Sequence, residues 1–337
     1  MKTINLVFAL ALMCSQTIYA QTSAYKIANK IKLEGEGGWD YLTADDATGK
    51  LYVSHGTVTQ VVNAASGQLL GTIPDTKGVH GIALAKDLNK GFISDGKDTA
   101  VTVFDLTTLA VQAKIKVTGI NPDAILYDPF SHKVFVYNGR TSNATVIDAV
   151  TNKVIETIPL PGKPEFSVTD EKGNVYVNIE DKSKICRINS ATLKVEQTWS
   201  LGKGEEPSGL AIDNKNHRLF SVCDNKLMIV LDAQSGNVIA ALPIGENVDG
   251  AAFDPETERA YSSNGEGTMT VIQGTNGKDY KVLENVATQK GARTITIDKK
   301  THHLYLPTAE FEAPIDEKQR PKVKAGSFVI LDIEPLK

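Results

Sequence analysis

WDYLTAD (Trp39–Asp45), HGIALAK (His80–Lys86), PDAILYD (Pro122–Asp128), PEFSVTD (Pro164–Asp170), PSGLAID (Pro207–Asp213), VDGAAFD (Val248–Asp254) and ARTITID (Ala292–Asp298) are seven versions of one phrase. They recur every 41 to 44 residues. Repetition at this period marks a repeat architecture, in which each unit buries its apolar face only against its neighbours. In the first unit, Tyr41–Ala44, Leu51–Ser54, Gln60–Asn63 and Gln68–Pro74 read as strands, separated by polar turns. The third strands return as VTVFD (Val101–Asp105), ATVID (Ala144–Asp148), KICRIN (Lys184–Asn189), MIVLD (Met228–Asp232) and SFVILD (Ser327–Asp332). The turns carry the Ser, Thr, Asn and Gly that hairpins require. No segment sustains a helical period over about 12 residues.

Four short strands per unit of roughly 42 residues is the period of a propeller blade. The expected fold is therefore an all-β, seven-bladed β-propeller with four antiparallel strands per blade. The last unit supplies only Thr294–Asp298, His303–Leu306 and Ser327–Ile333. Tyr25–Leu33 lies outside every unit and alternates like a strand. It is expected to be the fourth strand of the last blade, covering an edge that would otherwise invite aggregation.

The remaining bounds come from composition. Lys2 followed by the apolar run Ile4–Met13 is too short to span a bilayer and reads as a secretory signal cleaved near Ala20–Gln21. Residues 21–337 would then form the propeller, in the periplasm or outside the cell. A lipoprotein reading would acylate Cys14, but bulky Met13 precedes it. No other apolar run suggests a membrane span. Losing Lys2 would take the net charge from −4 to about −5, spread along the chain. That excludes the clustered basic footprint of a nucleic-acid surface. Cys186 and Cys223 form no metal or redox motif and are expected to be unpaired. The chain has no P-loop, Rossmann Gly-rich turn, His-Glu-x-x-His or Gly-x-Ser-x-Gly elbow. A closed propeller needs no partner to bury its core, so a monomer is expected.

The second strands LYVSHG (Leu51–Gly56), VFVYNG (Val134–Gly139), VYVNIE (Val175–Glu180) and LYLPTA (Leu304–Ala309), with VIDAVTNKVIETIPL (Val146–Leu160), resemble the YVTN, or YncE-like, family of bacterial propeller repeats. The resemblance covers nearly all of the chain after the signal. It implies the seven-bladed fold and export, but carries over no catalytic motif. Part of that broad family is associated with nucleic-acid binding. Related seven-bladed folds include lactonases and quinone- or haem-linked dehydrogenases.

Propeller geometry turns the repeat into a map. The second column of the aligned phrases reads Asp40, Gly81, Asp123, Glu165, Ser208, Asp249 and Arg293. These positions should surround one mouth of the central channel. His80, one residue before Gly81, and Trp39 belong to the same region. A ligand site is expected from Trp39, Asp40, His80, Asp123, Glu165, Asp249 and Arg293, taking a small molecule or a protein. Arg293 should partner Asp249 and Asp40, leaving Asp123 and Glu165 without a basic partner. Second-strand ends add His55, Asp95, Asn138, Asn178, Glu180, Cys223, Asn264 and Thr308. His55, His80, Asp123, Glu165 and Glu180 are therefore candidate ligands for a divalent cation. Structural capping of loop N–H groups is the competing reading of the same acids. His132, His217, His302 and His303 fall in turns of the opposite face and should be exposed. Ala309–Gly326, far longer than the equivalent connections, is a candidate lid. The residues thus point to a binding module, with a metal-assisted hydrolase of lactonase type or a protein-interaction scaffold as alternatives.

Overall fold

In a computed structural model of the chain, described for residues 23–312 and 322–336, twenty-eight strands form seven four-stranded antiparallel sheets. Blade 1 contains Trp39–Asp45, Lys50–His55, Val58–Asn63 and Leu69–Ile73, numbered from the channel outward. Blades 2 to 6 repeat that order. The signal reading of residues 1–20 and the middle of the Ala309–Gly326 excursion lie outside the described residues. No helix among the described residues is long and apolar enough to cross a membrane.

Burial explains why the strands differ radially. Second strands such as Leu51–His55 and Val134–Asn138 are buried on both faces, because each face packs on an adjoining blade. They consequently read as continuous apolar runs rather than alternating ones. Fourth strands such as Val111–Lys116 face water and carry Lys and Gln. The apolar core is divided into seven clusters, one between each pair of adjacent blades. Phe135, Tyr137, Val175 and Val177 join blades 3 and 4, for example, and Leu51, Val53, Tyr305 and Ile330 join blades 1 and 7.

The ring closes as the unpaired N-terminal segment suggested. Tyr25–Lys32 pairs antiparallel with Val329–Pro335, giving blade 7 its outer strand. Most strand bounds differ from expectation by one or two residues. The third strand of blade 7 starts at Val329, and just before it the Ser327 hydroxyl is engaged with Lys324 O and the Glu310 amide. The inner strand starts at Thr296, and just before it the Thr294 hydroxyl donates to Asp40 O of blade 1 (2.7 Å). At the rim of the closure, the Tyr25 and Tyr261 hydroxyls lie 2.8 Å apart, and Arg259 Nη1 donates to Tyr25 Oη at 2.8 Å.

Removing the Tyr25 hydroxyl strands two polar partners in a buried place. Tyr25→Phe should therefore cost about 1–3 kcal/mol, measured as a lower denaturant midpoint with an unchanged m-value. An unchanged midpoint would show that this network does not support the closure.

Candidate functional site

A shared backbone device builds the polar mouth. In each of blades 1 to 6 the pairing between inner and second strands breaks just after the first residue of the phrase, as between Trp39 and Leu42 or Pro122 and Ile125. Such a break frees the next side chains from the ladder and re-aims them. Cross-blade hydrogen bonds then fix the freed backbone. Ser94 of blade 2 donates to Asp123 O of blade 3. Asn178 of blade 4 donates to Ser208 O of blade 5 at 2.9 Å, and Ser263 of blade 6 donates to Arg293 O of blade 7.

The structure corrects one register. Val79 pairs with Asp95 as Trp39 pairs with His55, so the blade 2 phrase is VHGIALA, beginning at Val79. His80, not Gly81, therefore occupies the second column. The ring reads Asp40, His80, Asp123, Glu165, Ser208, Asp249, Arg293. Gly81 falls in the third column, where the inner strands of blades 2 and 3 approach closely. A Cβ there would lie 2.8 Å from Ile125 Cγ2.

His80 sits between the two carboxylates flanking it. Its Nδ1–H donates to Asp40 Oδ2 at 2.6 Å, and Asp123 Oδ1 lies 3.5 Å from the same nitrogen. One ligand atom from each of the three residues lies within 4.8 Å of the others. Their side chains keep 26%, 16% and 18% exposure for His80, Asp40 and Asp123, so the group is recessed but open. Burial works against the charged imidazolium. The hydrogen bond to Asp40 and the fields of Asp123, Asp40 and Glu165 outweigh it and raise the His80 pKa to about 9.

The other ring members form two further units. Lys163, just before the blade 4 phrase, bridges Glu165 (2.6 Å) and Glu180. Arg293 pairs with Asp249. Burial pushes the Asp123 carboxyl above the usual range, and the Asp40 charge adds to it. Burial and then the Asp123 charge do the same for Glu165, against the pull of Lys163. Asp249 is raised by burial despite Arg293. Beneath them Tyr41 crosses the channel to pack against Phe166 of blade 4, with tilted rings whose centroids are 5.3 Å apart. Its hydroxyl titrates well above its ordinary value through burial and the charges of Asp123, Glu165, Asp40 and Asp249.

Several expected members lie elsewhere. His55 is buried, paired with Gln60 Oε1 through Nδ1 (3.0 Å) and stacked on Phe328 at 4.2 Å. It is outside the converging group, as are Glu165 and Glu180, which Lys163 already bridges. Trp39 lies against Phe311 and Phe328, so it supports the excursion rather than lining the mouth. The excursion begins as a short ladder, with Phe311 bridged to Val323 and Glu310 paired with Lys324 at 2.8 Å. His302 and His303 are not free in solvent. They are half-buried against Asp254 (2.8 Å) and Asp332 (2.6 Å). Both cysteines are free and buried, and burial pushes the Cys223 thiol up to about 12, which makes it a poor nucleophile.

No family model matches the chain. The protein named YncE in Salmonella typhimurium is 22% identical over 241 residues, and that of Salmonella typhi 28% over 241 residues. Each match spans 66% of this chain and 67% of the relative. These relatives agree with the seven four-stranded blades already described. The chain is a seven-bladed propeller similar to the YncE proteins. Antigen Lp49 of Leptospira interrogans is also similar, 24% identical over 189 residues, which is 52% of this chain and 40% of the antigen. Among solved structures, a hydrazine synthase chain of Kuenenia stuttgartiensis superimposes with a TM-score of 0.71 over 81% of this YncE-like chain and 94% of its own. At 15% identity that likeness is one of fold.

The ring gives this propeller a pH signature. His80, Asp123, Glu165 and Asp249 all have raised folded pKa values, so the native state holds more protons than the unfolded one. Stability must then fall as pH rises through that range. The His80 share is complete below about pH 6.5 and lost through about pH 9. Acids with lowered values, such as Asp45 and Asp148, act only below their ordinary pKa of 3.8. Melting temperatures should decline from about pH 5 to about pH 9, and the double variant Asp123→Asn, Glu165→Gln should flatten the decline. A flat wild-type profile would contradict the ring electrostatics.

Proposed function

We propose that this protein is an exported binding module whose polar mouth holds a divalent transition-metal cation on Asp40, His80 and Asp123. The observation that supports this reading is the convergence of one imidazole nitrogen and two carboxylate oxygens within 4.8 Å, in a recessed yet open position. Mixed imidazole and carboxylate donors suit zinc, manganese or iron better than calcium. The ring is electrostatically prepared for such a guest, because its recessed acids now share charge with the His80 proton and the cations of Lys163 and Arg293. A cation bound here would replace that proton, so its affinity should rise with pH. The Asp40 amide, held by Ser54 Oγ at 2.9 Å, fixes one ligand. The Ser94 bond to Asp123 O fixes another. Supporting bonds of this kind orient first ligands and tune their affinity.

Export is the part of this reading that rests on the basic-then-apolar run ending near Ala20. A hydrolase reading has one specific support. Three protein ligands leave coordination positions for water, the arrangement from which metal-assisted hydrolysis proceeds.

Calorimetric titration with zinc and with manganese tests the module. One site per chain is expected, tightening between pH 6 and pH 8. His80→Ala and Asp123→Ala should each abolish it with the melting curve still cooperative, whereas Glu180→Gln should retain it. Equal binding in wild type and His80→Ala would overturn the assignment.

A further inference from the structure

The channel behind the polar mouth is a separate compartment. The Tyr41–Phe166 pair closes one end, and a cavity of about 980 Å³ runs from there to the turns of the opposite face. None of the charged ring residues lines it. Its wall instead carries Leu84, Leu126, Val168, Ile212 and Ile297, each only partly buried. Large aliphatic side chains uncovered inside a concave wall are the usual surface of a small-molecule site, and the volume lies near the upper end of that class. Three threonines of the wall each make a hydrogen bond within the blades. Thr43 donates to Ile82 O (2.8 Å), Thr169 donates to Asp128 (2.7 Å), and Thr296 accepts from the Ala44 amide (3.2 Å).

The outer rim adds a charge preference. Among the described residues Lys299 makes no ion pair, and the Lys215 side chain is 74% exposed with only a loose contact to Glu258 at 3.7 Å. Lys86 is neutralised by Asp45 (2.7 Å) and Asp46 (2.8 Å). The rim acids Asp87, which accepts from the Tyr127 hydroxyl (2.9 Å), and Glu171 belong to blades 2 and 4, whereas Lys215 and Lys299 belong to blades 5 and 7. We propose that the channel is a second binding site, for one aliphatic molecule with an anionic end, admitted from the face opposite the polar ring. The tail would lie along Leu126, Val168 and Ile212, and the anion would meet Lys215 and Lys299.

The test uses the full chain with a fluorescent apolar dye, anilinonaphthalene sulfonate, displaced by decanoate or by decanol. One saturable dye site, emptied by decanoate, is expected in wild type and in Asp123→Asn. Leu126→Asp should lose it, and Val168→Phe, which fills the wall of the adjoining blade, serves if the first variant melts early. Lys215→Ala with Lys299→Ala should weaken decanoate at least about tenfold and leave decanol unchanged, a difference of 1.4 kcal/mol. No saturable dye site in wild type, or undiminished binding in both channel variants, would overturn the proposal. Unchanged decanoate binding in the lysine variant would overturn its anionic end. Loss of the dye in Asp123→Asn would overturn the separation of the two compartments.

Discussion

The pairing of Tyr25–Lys32 with Val329–Pro335 is the constraint on which the remaining architecture depends. No blade of this molecule has a core of its own. Its apolar clusters lie between blades, so each is complete only when both walls are present. Without the N-terminal strand, blade 7 would end on an open edge beside Ile330 and Ile333, and the cluster shared with blade 1 would lose Ile31 and Leu33. An open edge of that kind also templates aggregation. Closure has a second consequence for the mouth. Thr294 of blade 7 holds the Asp40 carbonyl of blade 1, so Asp40 in the first blade is positioned by the last.

The mouth is a ring of side chains held by backbone. Breaks in inner-strand pairing in blades 1 to 6 turn the second residue of the phrase away from its own ladder, and in blades 3, 5 and 7 a serine or asparagine of the preceding blade holds its carbonyl. Rigid support of this type sets donor positions before a ligand arrives, which lowers the ordering cost of binding. The same rigidity crowds charge. Burial and neighbouring carboxylates raise Asp123, Glu165 and Asp249, so the ring retains protons and pairs with Lys163, His80 and Arg293. Tyr41 and Phe166 lie between this polar ring and the aliphatic wall of the channel.

How much of this was readable in the residues follows from what repeats. The seven phrases fix blade number because their spacing is a property of the chain, and the unpaired Tyr25–Leu33 segment announces the closure. His80 was misplaced by one column because blade 2 lacks the acid that ends the other phrases. Asp45, Asp128 and Asp254 cap the following turn through their carboxylates, whereas blade 2 has Ala85 there and uses a short 3₁₀ turn, Lys86–Leu88. Lys163 was missed because it stands outside the repeated phrase. The Tyr41–Phe166 partition did have a signal. With blade 2 in register, the third column is Gly81, Ala124, Gly209, Gly250 or Thr294 elsewhere, and only blades 1 and 4 carry large aromatics. The position of His55 depends on Phe328, a contact between blades that no local pattern reveals.

The most direct measurement of the central claim is an anomalous X-ray difference map from crystals grown with zinc or manganese. The account predicts one peak at the channel mouth, about 2.0–2.2 Å from His80 Nδ1 and from a carboxylate oxygen each of Asp40 and Asp123. A mouth without a peak under saturating metal, or a peak held by Glu165 and Glu180 instead, would contradict it.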